Sequence, residues 1–299
     1  MDILCFDIGG TTIKYGVIRD GKILEKSSFP THYKRGHKDV TDRLITTTKK
    51  VLKKYPKVEG VGISCAGSIN YDEGVMLTPP EAIPQFGDWN FTKLFKDQFG
   101  LRIVADNDVN SFAAGECKLG AGNKYDTFIV MTVGTGIGGA IVVGDKIWRG
   151  HDYNAGEIGR MLIDGAKWEK IASMSALVKN AKLRGLDIEN GKDVFDLYDQ
   201  HDPIASLVVT EFYHNLGKGI ANLVYMFNPE AIIIGGGISA RKDFGKEVNA
   251  YADYYLVEGF QDTLDIVPAK FRNDGGLMGA YCNFIDRYGK DEQKWKKKY

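Results

Sequence analysis

The sequence predicts a mixed α/β protein of two similar lobes. Three observations carry that prediction. Strand-like and helix-like segments alternate along the 299 residues, as in α/β folds with mostly buried sheets. A strand, a Gly/Thr turn, a second strand, a tight hairpin and a third strand occur in that order twice. The length corresponds to about two domains of ~150 residues. No low-complexity linker separates the halves, so the chain is expected to cross between lobes near Asp108 and to return near Gly275. The expected domains are residues 1–108, with 275–299 packing back on them, and 109–274.

The elements follow in order. Ile3 to Phe6 is an apolar strand ending at Asp7, followed by the turn Gly9-Gly10-Thr11-Thr12. Ile13 to Ile18 is the second strand, Asp20-Gly21 a hairpin turn, and Lys22 to Ser27 the third strand. Val40 to Tyr55 is a helix with Leu44, Ile45, Val51 and Leu52 at near-helical spacing. Val58 to Ser64 is a strand closed by Ala66-Gly67. Asn90 caps a helix through Leu94 and Phe95 that Gly100 ends. Leu101 to Ala105 is a strand entering Asp106-Asn107-Asp108, with a helix from Val109 to Leu119. The opening pattern then returns. Thr127 to Val133 is a strand and Gly134 to Gly139 its turn; Ala140 to Val143, Gly144-Asp145 and Lys146 to Trp148 complete the repeat. A long helix from Ile204 to Phe227, a strand from Ala231 to Ile234, the turn Gly235-Gly236-Gly237 and a further helix close the second half.

Composition narrows the function classes. Lys+Arg 39 against Asp+Glu 39 leaves no net charge, so no global field attracts nucleic acid or an anionic membrane. The basic run Lys294 to Lys298 around Trp295 reads as a solvated tail. No apolar stretch reaches the ~18 residues of a spanning helix, and the N-terminus carries no secretory pattern. Cys5, Cys65, Cys117 and Cys282 are scattered and read as small buried hydrophobes of a reducing compartment. The expected location is the cytoplasm.

Three Gly-rich turns each follow a strand. Such turns expose backbone N–H groups and let a phosphate approach closely, and Thr11, Thr12 and Thr135 add hydroxyl donors. None is a Walker A loop. Gly134, Gly136 and Gly139 satisfy G-x-G-x-x-G, but a dinucleotide fingerprint must open a helix, and a strand follows here; NAD binding is therefore rejected. Any one turn could be a plain hairpin. Three of them, two in a repeated context, point to a nucleotide phosphate clamp. Asp7 beside the first turn suits Mg²⁺, directly or through water, although a carboxylate there can also cap a turn. Asp106-Asn107-Asp108-Val109-Asn110 holds more polar residues than a helix cap needs. An amide beside a carboxylate suits a polyol: one holds a hydroxyl, and the other accepts the proton of a second. Glu157, after Ala155-Gly156, and Glu169, at a helix start, add carboxylates, though each alone reads as surface charge.

With these segments in hand the sequence resembles the ROK family of ATP-dependent sugar kinases, in the actin-like ATPase/hexokinase superfamily. The matching stretches are Asp7 to Lys14, Gly62 to Gly67, Asn107 to Glu116, Thr132 to Gly139, Ala155 to Gly159 and Ile234 to Gly237, in the family's order and over most of the chain. The resemblance implies two actin-like (ribonuclease H-like) lobes with ATP and sugar in a cleft between them. It implies that Asp7, Gly9, Gly10, Thr11, Thr12 and Lys14, with Gly134, Thr135 and Gly136, serve ATP phosphates and Mg²⁺, and that Gly235, Gly236 and Gly237 lie by the adenosine. Asp108 would be the catalytic base. Asn107, Asp108, Glu157, Glu169 and the backbone at Gly67 would bind sugar. One departure is plain: Arg160 stands where the family usually has His, and no Cys or His lies between Gly159 and Glu169. The four N/S ligands of a structural zinc are missing, which makes the sequence similar to the zinc-free members, β-glucoside kinases and N-acetylmannosamine kinases of Gram-positive type. The expected activity is Mg·ATP-dependent phosphorylation of the 6-hydroxyl of a neutral hexose or N-acetylhexosamine. A homodimer is implied by the family alone. The alternatives are a sugar-binding protein without catalysis and a ROK-type transcription regulator. The regulator requires a DNA-binding domain ahead of the first strand, for which Ile3 leaves no room.

Overall fold

The structure is a computed structural model and describes residues 1–80, 86–261 and 264–289. The basic run at Lys294 to Lys298 lies outside the described residues. In chain order the elements are β1 (Asp2–Ile8), β2 (Thr12–Arg19), β3 (Lys22–Pro30), α1 (Gly36–Lys54), β4 (Val58–Cys65), β5 (Ser68–Asn70), β6 (Val75–Thr78), α2 (Phe91–Phe99), β7 (Arg102–Asn107) and α3 (Asp108–Leu119). There follow β8 (Thr127–Val133), β9 (Ile137–Val143), β10 (Lys146–Trp148), β11 (Leu162–Ile163), β12 (Ala166–Lys167), α4 (Glu169–Ala172), α5 (Met174–Leu183), α6 (Gly191–Asp199) and α7 (Pro203–Phe227). Then come β13 (Ala231–Gly235), α8 (Phe244–Asp253), β14 (Asp265–Pro268) and α9 (Gly275–Tyr288).

The repeat foreseen in the sequence is realised as two sheets of the same order, β3-β2-β1-β4-β7 and β10-β9-β8-β13-β14. In the first, β1 pairs antiparallel with β2 and parallel with β4. In the second, β8 pairs antiparallel with β9 and parallel with β13. The Asp20-Gly21 hairpin has φ of 49° and 73°, the left-handed pair that a two-residue turn between twisted strands requires. Asn90 caps α2 by accepting from the Lys93 N–H, and Gly100 ends it at φ 65°, as the residue types predict. β9 begins at Ile137, so Gly138 and Gly139 belong to a strand and not to the turn. A Cβ on Gly139 would lie 2.6 Å from the Ile158 side chain, which is why glycine stands there.

By contacts the chain forms two compact units. One comprises Met1–Lys124, Lys146–Ala155 and Asn273–Tyr299; the other Tyr125–Asp145 and Gly156–Arg272. The first division falls after Lys124 and not at Asp108, because α3 packs along α9 within the first unit. A Cβ on Gly279 of α9 would lie 1.6 Å from the Ser111 carbonyl oxygen, a helix approach that only glycine permits. The core of the first unit centres on Leu4, Phe6, Ile8, Val61, Ile63 and Phe95, and that of the second on Ile129, Met131, Trp168, Tyr213, Leu216 and Ile232. All four cysteines are buried, and none of them is in a disulfide among the described residues. Among the described residues no helix is long and apolar enough to cross a membrane.

Candidate active site

In the first unit, β1 delivers Asp7 to the sheet's C-terminal edge. Its cross-strand neighbours are Lys14 on β2 and Ser64 on β4. Ser64 Oγ donates to Asp7 Oδ1 at 3.0 Å, and Lys14 Nζ lies 3.3 Å from Oδ2 while also donating to the Asn273 carbonyl at 2.8 Å. The turn after β1 is closed by the Gly9 N–H donating to the Thr12 carbonyl at 3.1 Å, and Thr31 ties it down by donating to the Gly9 carbonyl at 2.6 Å. The first turn of α9 comes to the same place: a Cβ on Gly276 would sit 2.4 Å from the Asp7 carboxyl group. Helix N-termini favour anions, so this end of α9 suits a carboxylate and phosphates alike. The structure brings Asp7, which the sequence singled out, and Lys14, which the resemblance added, together beside the turn; the approach of Gly276 was not foreseen, and the doubled glycine at a helix start was the available signal.

These residues fit Mg²⁺ held with nucleotide phosphates. Asp7 is partly exposed and both its oxygens have protein partners, which suits an ion bound through water; Mg²⁺ keeps several waters and uses one or two carboxylates. Among the described residues no cluster of three or more His, Cys, Asp or Glu could hold a metal.

The β7–α3 junction is the second feature of this unit. Asn107 is the cap of α3: its Oδ1 accepts from the Val109 and Asn110 N–H groups at 2.9 and 3.1 Å. Its Nδ2 donates to the Gly67 carbonyl at 3.0 Å. Gly67 has φ 104°, and a Cβ there would lie 2.7 Å from the Thr78 carbonyl oxygen, so the loop after β4 is held in one shape. Asp108 opens α3, with Oδ1 accepting from the Val109 N–H at 2.9 Å. Cys65 lies beneath; burial pushes its thiol well above the ordinary range, and the charges of Asp108 and Asp7 add to that. The structure thus brings Gly67, Asn107 and Asp108 together. It also divides the polar run. Asp106 and Asn110 point inward and are buried, while Asn107 and Asp108 are half-buried.

In the second unit the turn after β8 is closed by the Gly134 N–H donating to the Gly136 carbonyl at 3.0 Å. A Cβ on Gly134 would meet nothing within 4 Å, so its backbone presents an open face, as a phosphate turn should. A Cβ on Gly136 would fall 2.8 Å from Glu169 Oε2. The structure therefore brings Glu169, the first residue of α4, to this turn. Glu157 is about half exposed, and Arg160 Nε donates to its Oε2 at 2.9 Å. Arg160, at the position of the family's His, thus holds a predicted sugar ligand. The segment between Gly159 and Glu169 is a short hairpin, β11 with β12, turned by Asp164-Gly165. After β13, Gly236 has φ 96° and packs on Val133, Gly237 is open, and Ser239 Oγ donates to the Gly236 carbonyl at 2.8 Å. Near this turn lies a cavity of about 710 Å³ lined by Ser239, Arg241, Phe244, Lys246, Asn249 and Asp253 among others. Sequence reasoning did not reach the cavity, because its walls come largely from α8 and β14 and the residues just after the glycine turn, which carry no motif.

Comparison with known proteins shows the family and the fold. Residues 3–287 match the ROK family. A β-glucoside kinase of Klebsiella pneumoniae is 34% identical over 303 residues, covering 96% of this chain and 97% of its own. A β-glucoside kinase of Listeria monocytogenes is 33% identical over 304 residues, covering 98% and 100%. A ROK family glucokinase of Streptomyces griseus, solved in complex with glucose and AMPPNP, matches with a TM-score of 0.80 at 28% identity, covering 94% of this chain and 98% of that one. The two repeated sheets and glycine turns are those of the actin-like sugar kinase fold. The chain belongs to the ROK family.

Proposed function

We propose that the protein is an ATP-dependent sugar kinase acting on the 6-hydroxyl of a neutral hexose or N-acetylhexosamine. The observation that carries this reading is the β7–α3 junction. There Asp108 stands half-buried at a helix start while Asn107 and Gly67 are locked to each other beside it. A carboxylate so placed is suited to accept a hydroxyl proton as the oxygen attacks phosphorus. Gly9 to Thr12 with Lys14, and Gly134 to Gly136, would hold the phosphates, and the Gly235 to Gly237 turn with its neighbouring cavity would take the adenosine. Asp7 would hold Mg²⁺ through water, and the ion would neutralise charge on the phosphates. The similar proteins support the substrate class: they include β-glucoside kinases and a glucokinase bound to glucose and an ATP analogue.

Asn107 and Asp108, with Glu157 and Glu169, would offer a sugar mainly acceptors, which would suit many hydroxyl donors and repel anions. Glucose or a β-glucoside and N-acetylmannosamine are the leading candidates. The short segment after Gly159, with Arg160 in it, would leave room for a substituent at C1 or C2. A homodimer in the cytoplasm is part of the same reading. An ADP-release assay over a panel of neutral sugars, sugar acids and sugar phosphates tests it. Turnover confined to neutral sugars is expected. A preference for gluconate or a phosphorylated sugar, or binding of a neutral sugar with no ADP released, would overturn it; the latter would leave a sugar-binding protein without catalysis.

A further inference from the structure

The carboxylate of Asp106 is fully buried, one residue before Asn107, and its two oxygens are used completely. Oδ1 accepts from the Asn107 N–H at 2.9 Å. Oδ2 accepts from Asn283 Nδ2 at 3.2 Å and from Arg149 Nη2 at 2.6 Å and Nε at 3.2 Å. Burial pushes this carboxyl above the ordinary carboxylate range, and Arg149 opposes that shift. Arg149 is itself held. Its guanidinium carbon lies 3.7 Å from the centre of the Tyr71 ring, over which Arg287 also lies at 4.2 Å. Arg287 in turn pairs with Asp72 at 3.0 Å, and Tyr153 donates to the other Asp72 oxygen at 2.7 Å. Asn154 meets Ser68. The segment 149–155 is thus fastened at Arg149, Tyr153 and Asn154.

The hydrogen bonds form one line: Arg149 to Asp106, Asp106 to the Asn107 backbone, and the Asn107 side chain to Gly67 and the first amides of α3. We propose that Arg149 is a positioning residue. Through Asp106 it fixes the backbone of the β7–α3 junction, and so the placement of Asp108, without touching substrate. This rests on the kinase reading of that junction. A buried carboxylate needs a partner, so Arg149 also contributes to stability. The test must therefore separate geometry from charge.

Arg149→Met is expected to lower both the melting temperature and kcat, because it strands the Asp106 charge. Arg149→Met with Asp106→Asn removes that charge and is expected to recover most of the melting temperature. It leaves the junction without its clamp, and misplacement on the ångström scale costs about 100-fold in kcat, with KM for ATP unchanged. In the double variant the Val109 and Asn110 amides are expected to exchange with solvent at least about tenfold faster than in the parent. Recovery of kcat together with the melting temperature, or unchanged exchange at Val109 and Asn110, would overturn the proposal. The exchange measurement needs no turnover. If the parent phosphorylates no sugar, the kinase reading fails while the amides still decide whether Arg149 holds the junction.

Discussion

Asp108 and Asn107 sit next to each other in sequence yet do different work. Asn107 spends its side chain on Gly67 and on the helix cap, whereas Asp108 opens α3, accepts from the Val109 N–H and is half-buried. Asp108→Asn is expected to reduce kcat by about 10²–10⁴, the typical contribution of a positioned base, with the sugar dissociation constant kept within about tenfold. Near-parent kinetics would remove Asp108 from the reaction. A second prediction concerns stability. Asp2, buried at the start of β1, takes two bonds from Arg19, at 2.5 and 2.6 Å, and these hold its carboxyl below the ordinary range. A depressed folded-state pKa stabilises above the unfolded value and loses that contribution as pH falls through the folded value. Asp2→Asn should cost about 1 kcal/mol at pH 7, and the difference should shrink as pH falls below the ordinary carboxylate range. A pH-independent difference in urea midpoints would contradict this. Asn107 and Asp108 were legible because amide and carboxylate follow a strand. Arg149 was not, since nothing in Trp148-Arg149-Gly150 shows that its partner lies at Asp106, 43 residues earlier.

At the level of elements, the sequence was legible where glycine, Asx residues and apolar alternation agree. The Asn90 cap, the Gly100 stop and the Asp20-Gly21 hairpin fall where the residue types place them. α1 starts at Gly36, ahead of the Val40 start read from the sequence, because its first turn has no apolar residue to reveal it. The start of α4 at Glu169 was read, but the helices α5 and α6 and the edge strand β14 escaped notice because they are short. The packing of α3 on α9 was also hidden, because a glycine in a helix sequence does not say what approaches it. Gly279→Ala would place a methyl group 1.6 Å from the Ser111 carbonyl oxygen. Backbone atoms cannot swing aside as a side chain can, so the substitution is expected to cost about 3 kcal/mol despite alanine's better helix propensity. A stability loss under about 1 kcal/mol, the ordinary level for a point mutant, would show that the two helices can separate without penalty.

For the whole molecule, the repeat was legible because strand, Gly/Thr turn, strand, hairpin and strand recur in residue order, and the two sheets recur in strand order. The unit boundaries were less so: the chain divides after Lys124, and residues 146–155 count with the first unit. Only three-dimensional packing sorts such a short segment. The segment between Gly159 and Glu169, with its β11–β12 hairpin, carries no Cys or His, so the purified protein is expected to contain no stoichiometric zinc and to melt at the same temperature with and without chelator. Structural zinc contributes ~10–16 kcal/mol of binding free energy in small domains, so about one zinc per chain by elemental analysis, or a large chelator effect, would contradict that. The central claim is phosphoryl transfer from ATP to a sugar 6-hydroxyl. Its most direct test pairs the best neutral sugar with its 6-deoxy analogue and follows both by phosphorus and proton NMR in the presence of Mg·ATP. The account predicts a 6-phosphate from the sugar and no phosphorylated product from the analogue; equal turnover of the two would contradict it.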